Sequence, residues 1–435
     1  MDERYHDSNT YKLNDSPRKS ILLVKISTEP VGRPAMISQE LTAKSLYWLT
    51  ALLISLGFIV VFYHLQDPVD YRAQPLNDAN RYLKIYESFR LGELPHGLSF
   101  PFNNRLLTPL LASMLRRGSP ELDFFAVNSI YTLVYILVMF EMFRRLGAQP
   151  IKFAICFLWA LHWLGPFRGN AADPLNTDAG ILMFQALALL FIHRQQHFPL
   201  MVITPFAVLH KEVFVAWIVI YAAVLVMDRI MGAEPIREFG LAMVALLLAL
   251  FAKWLALYFF PPVETGRGSL ITLLFNVRES MIYPIRLWRW LAAMFASFGV
   301  LFMPLWFLRV RIWSLNRFQV YLLLCITANT LFGILAGDDH TRILYLGSPF
   351  LFAMFAADKT ISRPVWATAI LVSLPALGLW SHIPLRLPIV AAEWQFTPDY
   401  AEPYTLMAWL LYGTAGAALT ATLHVWFKRR HKPAL

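Results

Sequence analysis

The chain has 435 residues, of which 57% are hydrophobic and only 15% charged, and its mean hydropathy is +0.51. A water-soluble protein carries about a quarter charged residues, so composition excludes an ordinary soluble globule and favours a chain with lipid around most of it. The formal charge of +10 sits largely in short segments beside apolar runs, as membrane orientation requires, and so argues for no nucleic-acid partner.

In chain order, residues 1–44 read as a polar, basic, cytoplasmic segment with no cleavable signal pattern. Residues 45–426 read as one transmembrane domain and 427–435 as a cytoplasmic tail. Apolar runs fall at about 45–66, 122–143, 151–165, 178–193, 199–227, 238–260, 290–308, 318–336, 342–357, 364–380 and 403–426. The expected fold is all-α and polytopic, with about 11–13 membrane segments. Residues 67–121 form the first outer loop. Within it Arg105–Arg117, too short to span, is expected to lie along the interface as a helix.

The 199–227 run is too long for one straight pass and is interrupted by His210, Lys211 and Glu212. Read as two short passes, it puts most basic clusters on the side of the N-terminus: Arg144 and Arg145, Arg194, Arg229, Arg309, Lys359 and Lys428–Arg430. Arg267, Arg278, Arg286 and Arg289 then fall on the opposite, outer side, against the trend. Asn77, Asn170, His210 and His340 are expected on that outer side too. The cysteines, Cys156 and Cys325, both lie in apolar runs and offer no disulfide scaffold.

Polar clusters then share one face: NDANRYLKIYESFR (Asn77–Arg90), FRGNAADPLNTD (Phe167–Asp178), His210-Lys211-Glu212, and GDDHTR (Gly337–Arg342). Charges at membrane depth pair, line a cavity or do chemistry. Asp78 is either a helix cap or a general acid–base. Asp173 is a turn residue or a carboxylate, and Asp178 a cap or a second cavity-facing carboxylate. Lys211, Arg105 and Arg342 could face a phosphate, with His210 and His340 hydrogen-bonding it. Asn77, Tyr82, Asn104 and Glu212 could hold a sugar or acceptor. Asp338 and Asp339 with His340 could bind a divalent cation, although the spacing is too short to be diagnostic. No phosphate-cradling glycine loop, GxSxG, HExxH or CxxC motif is present.

The order of these elements resembles the integral-membrane glycosyltransferases of the GT-C superfamily. An early span is followed by a large outer loop with an acidic residue, then by many further spans. NDANRYLKIYESF and PFNNRLLTPLLASML are similar to bacterial members with Asp-Ala-x-x-Tyr and Arg-Leu-Leu-x-Pro stretches, and HTRILYLGSPF to a late HxRxxxxxxP segment. The chain has Asn77-Asp78 where many relatives carry an Asp-Glu pair. The resemblance implies a polyprenyl-phosphate-linked sugar donor, a lipid or glycan acceptor, and inverting transfer at the outer face of a bacterial inner membrane. Asp78 stands where the catalytic carboxylate would. A secondary transporter, or a flippase, polymerase or ligase of lipid-linked glycans, is the competing reading, supported by the interrupted 199–227 run.

Overall fold

The computed structural model describes residues 34–66, 68, 71, 78–230, 236–263, 269–304, 315–335, 339–359, 361–378 and 403–430. Those residues contain helices and no strand. The chain divides into a short unit, Met1–Tyr47, described only from residue 34 as the opening of a helix, and a unit Trp48–Leu435 that holds everything else.

The helices are α1 (Pro34–Leu65), α2 (Asp78–Leu91), α3 (Leu107–Leu115), α4 (Pro120–Arg145), α5 (Pro150–Ala160), α6 (Pro166–Ala172), α7 (Asp178–His193), α8 (His197–His210) and α9 (Phe214–Ile230). They continue with α10 (Ile236–Phe259), α11 (Ser269–Ile282), α12 (Ile285–Phe298), α13 (Arg317–Leu335), α14 (His340–Tyr345), α15 (Ser348–Ala357), α16 (Arg363–Ser373) and α17 (Pro403–Arg430). Among the described residues, five stretches are long and apolar enough to cross a membrane: Leu46–Leu65, Pro120–Arg145, Arg237–Phe259, Arg317–Leu335 and Thr405–Arg429. The others are shorter. The expected run at 151–165 ends as a helix at Ala160 and restarts at Pro166, and the run at 342–357 splits at Leu346–Gly347. Proline explains the restarts. It opens α4, α5, α6, α15 and α16, where its missing N–H costs nothing and its fixed φ suits a first turn.

The 199–227 run is two helices. Lys211 is extended (φ −156°, ψ 119°), and α9 begins at Phe214. No Gly or Pro makes this break. The chain leaves the helix where three consecutive polar side chains find partners elsewhere.

Helix α7 lies in the interior, with nearly every side chain from Ala179 to Ile192 buried. It packs against α4 and α8, and α10 covers α8 and α9. Helices α1, α10 and α17 keep large apolar side chains exposed, among them Leu53, Phe251, Trp254 and Leu411, as helices bathed in lipid do. Where α9, α10 and α13 meet, Arg317 pairs with Asp228 at 2.6 Å and lies 3.7 Å from Glu238.

Candidate functional site

The N-terminus of α7 and the α8–α9 break build the site. Thr177 and Asp178 stand at the start of α7, and His210, Lys211 and Glu212 are consecutive at the break. His210 and Lys211 both hold the start of α7, His210 also reaches α3, and Glu212 holds Arg105. His210 Nε2 meets the Thr177 carbonyl at 2.8 Å, and its Nδ1 meets Thr108 Oγ1 at 2.8 Å. A carbonyl only accepts, so Nε2 carries the proton. In the neutral ring Nδ1 accepts from Thr108. Lys211 Nζ donates to Asp178 Oδ1 at 2.6 Å. Glu212 accepts a two-pronged pair from Arg105, Nε at 3.0 Å and Nη2 at 2.8 Å.

Gly180 makes this assembly possible. A Cβ there would stand 2.3 Å from His210 Cε1 and 2.9 Å from Tyr131 Cε2. The absent side chain lets the imidazole lie against the first turn of α7.

Tyr82, fully buried on α2, joins the halves. Its hydroxyl accepts from Thr177 Oγ1 at 3.2 Å and from Arg105 Nη1 at 3.3 Å, and its ring meets Phe102 edge-on at 5.2 Å. One helical turn earlier stands Asp78, the first residue of α2.

Arg342, in the first turn of α14, closes the group. Its Nε donates to Asp178 Oδ2, and its Nη2 to Asp178 Oδ1 at 3.2 Å and to Asn176 Oδ1 at 2.9 Å. Its Nη1 lies 3.7 Å from Asp78 Oδ2 and 3.6 Å from Asp339 Oδ2. Asp339 also caps α14, accepting from the Arg342 backbone N–H at 3.4 Å. Exposure divides these charges into two sets. Asp78 and Asp339 side chains are 43% and 40% exposed, whereas those of Asp178, Lys211, Arg105 and Glu212 are 8–15% exposed. The carboxylates Asp78, Asp173, Asp178, Asp339 and Glu212 outnumber the cations Arg105, Lys211 and Arg342, and every cation is committed to a carboxylate. The two more exposed carboxylates, Asp78 and Asp339, flank one guanidinium edge of Arg342.

Asp173 lies at the C-terminal end of α6, where its backbone makes a turn. Its Oδ1 accepts from Tyr71 Oη at 2.8 Å, and burial pushes its pKa up to about 6, with the Tyr71 hydrogen bond and the Arg342 charge opposing and Asp178 and Asp78 assisting.

The remaining expected residues sit elsewhere or in other roles. His340 is buried, with Nδ1 2.6 Å from the Gly333 carbonyl of α13. Asn170 is buried and donates to the Phe125 carbonyl and Ser129 Oγ. His210 is buried as well. Asn104 is buried in a short helical turn beside Arg105, and neither atom of its amide has a hydrogen-bond partner. Asn77 and Asp338 lie outside the described residues, and so does half of the cation site drawn from Asp338 and Asp339. Among the described residues no cluster of three or more His, Cys, Asp or Glu side chains has metal-binding geometry.

Sequence reasoning passed over Asn176, Thr177, Thr108 and Tyr71. Asn176 is the most informative. Its side-chain oxygen receives both Arg342 and the Asp178 N–H, while its own carbonyl receives Asn128 Nδ2 at 2.7 Å. An Asn two residues ahead of a helix-opening Asp is a local turn signal that the sequence carries. No protein-family model matches this chain, and no curated protein and no solved structure matches it either.

Proposed function

We propose that the chain is an inverting glycosyltransferase of GT-C type, with about 11–13 membrane segments, that moves a sugar from a polyprenyl-phosphate donor to a lipid or glycan acceptor. The observation that carries this reading is the meeting of Asp78, a half-exposed carboxylate from the first loop, with Arg342 from a segment late in the chain. In this reading Asp78 takes the proton of the acceptor hydroxyl as its oxygen attacks the anomeric carbon. The bond from that carbon to the lipid phosphate breaks, and the phosphate leaves with the electron pair. In this reading Arg342, held by Asp178 and Asn176, stabilises that developing charge with its remaining edge. The reaction takes place at the outer face of a bacterial inner membrane, where the charge pattern puts the polar loops.

One observation favours a second reading, a secondary transporter. The α8–α9 break puts buried Lys211 against Asp178, and broken helices with paired charges build transport sites. Purified protein incubated with a panel of polyprenyl-phosphate sugars and a lipid-acceptor mixture separates the two. The glycosyltransferase reading requires transferred sugar and free lipid phosphate by mass spectrometry. Neither product from any donor, together with ion-coupled solute uptake in liposomes, would favour transport.

A further inference from the structure

The three cations of the site, Arg105, Lys211 and Arg342, are all taken up by carboxylates, and Arg342 has Asp78, Asp178 and Asp339 around it. A phosphate entering such a site brings one more negative charge, and it needs a cation that the protein has not already neutralised. Arg81 is such a cation. It stands one helical turn after Asp78 on α2 and is exposed. Among the described residues no carboxylate pairs with it.

Arg81 is nevertheless held in place. Its guanidinium carbon lies over the buried ring of Phe102, 4.7 Å from the centroid. Arg105 approaches the same ring at 5.5 Å, and Tyr82 meets it edge-on. A cation–π contact fixes the charge while the N–H fork stays available for phosphate oxygens. Lys84, three residues on and so on the same face of α2, reaches the Gly97 carbonyl at 3.5 Å. Both side chains therefore extend over the segment Gly97–Phe102, and neither is enclosed by protein.

The end of α10 is tied to that segment as well. Asn103 Nδ2 donates to the Phe260 carbonyl at 3.0 Å, and the Val263 N–H to the Leu98 carbonyl at 3.0 Å. Tyr258, Phe259 and Val263 are exposed there, and the exposed Trp254 ring stacks on Tyr258 at 5.4 Å. An open pair of cations thus adjoins an open apolar strip on a helix of membrane-spanning length, the combination that an anionic lipid requires.

We propose that Arg81, with Lys84 beside it, holds the phosphate of the lipid-linked donor, and that the isoprenoid chain runs along the exposed end of α10. The inference rests on the sugar-transfer reading above. It puts the base and the grip on the leaving phosphate one turn apart on a single helix. Arg342, hemmed in by carboxylates, then shares the developing charge with a cation that has no carboxylate of its own.

Full-length protein in detergent is mixed with undecaprenyl phosphate, with undecaprenol, which has the same chain and no phosphate, or with inorganic phosphate. Bound lipid is counted by native mass spectrometry. Undecaprenyl phosphate should be retained and undecaprenol not, with inorganic phosphate competing only at about a hundredfold higher concentration or more, because the chain contributes to binding. Arg81→Gln should weaken retention by about tenfold or more, the usual worth of a charge-assisted hydrogen bond, with the unfolding temperature little changed at an exposed position. Arg81→Lys should weaken it less, since the charge stays and the fork goes. Lys84→Gln should also weaken it, and it serves as the reading if an Arg81 variant fails to fold. Arg116→Gln, at an exposed arginine that ends α3, should change nothing. Equal retention by wild type, Arg81→Gln and Lys84→Gln would overturn the proposal, and so would an equal loss in Arg116→Gln, which would mark diffuse surface charge. Equal retention of undecaprenol would make the surface merely apolar, and competition by inorganic phosphate at equal concentration would make it a free-anion site; either result removes the lipid phosphate. The transfer reading fails separately: Arg81-dependent retention without transferred sugar from any donor would sink that reading and leave the phosphate site standing. Sugar transfer with retention indifferent to Arg81 and Lys84 would do the reverse.

Discussion

Asp178 and Arg342 are 164 residues apart in the chain, yet the guanidinium of one forks onto the carboxylate of the other, and Lys211 shares the same carboxylate from a third segment. Removing one partner of such a buried group strands the rest, at a typical cost of about 3–5 kcal/mol. Asp178→Asn is therefore expected to destabilise more than Arg342→Lys, because it leaves two cations without their anion. Thermal unfolding in detergent, with the double variant closing the cycle, should give a coupling energy well above the roughly 0.5 kcal/mol of unlinked sites. Additive losses would mean that the fork holds nothing together.

Asp78 is half exposed and makes no short contact, so Asp78→Asn should leave folding unchanged. If it is the base, single-turnover sugar transfer should fall by roughly 10²–10⁴-fold with donor affinity preserved. Asp173→Asn, Asp178→Asn and Asp339→Asn are the comparisons. Wild-type turnover in Asp78→Asn with loss in Asp339→Asn would transfer the proton to the other exposed carboxylate on the same guanidinium.

Gly180→Ala places a methyl group 2.3 Å from the His210 ring. Both ring nitrogens are already engaged, so the ring cannot turn aside without giving up a hydrogen bond. Overpacking of this kind costs about 1–3 kcal/mol. The loss should shrink in Gly180→Ala combined with His210→Ala. An unchanged unfolding temperature in the single variant would show that α7 and the break move apart freely.

Asp173 supplies a pH dependence. Its carboxyl has a pKa near 6 in the folded chain and an ordinary value of 3.8 when exposed. In that interval the folded chain binds the extra proton, so stability should fall as pH rises from about 4 through 6. Asp173→Asn should flatten that part of the unfolding-temperature profile. A profile with the same slope in both proteins would assign the dependence to another group.

Much of the fold could be read from the chain. The apolar runs at 122–143 and 238–260 became α4 and α10, and the charged triplet at 210–212 became a real break in the helix. The all-helical class followed from the same periodicity. Boundaries failed at 151–165, where the helix ends at Ala160 and a new one starts at Pro166, and inside 342–357, where a second helix starts beside Pro349, because hydropathy does not register a change of direction. The charged residues of the site stood out as ionisable groups in apolar surroundings. Their pairing did not, since nothing local ties Arg342 to Asp178 or Arg105 to Glu212 rather than to a ligand. Exposure was equally hidden: Asp78 and Asp178 look alike as helix-opening aspartates, and only packing leaves one open and closes the other.

From one uninterrupted stretch of backbone, His210 and Lys211 hold the start of α7 and Glu212 holds Arg105. Their spacings are therefore not independent variables. Inserting or deleting a single residue in the triplet would pull Thr177, Asp178 and Arg105 out of register together, whereas exchanging Lys211 or Glu212 alone disturbs a single grip. The length of this segment should be far less tolerant of change than its composition, the reverse of what a surface turn would show.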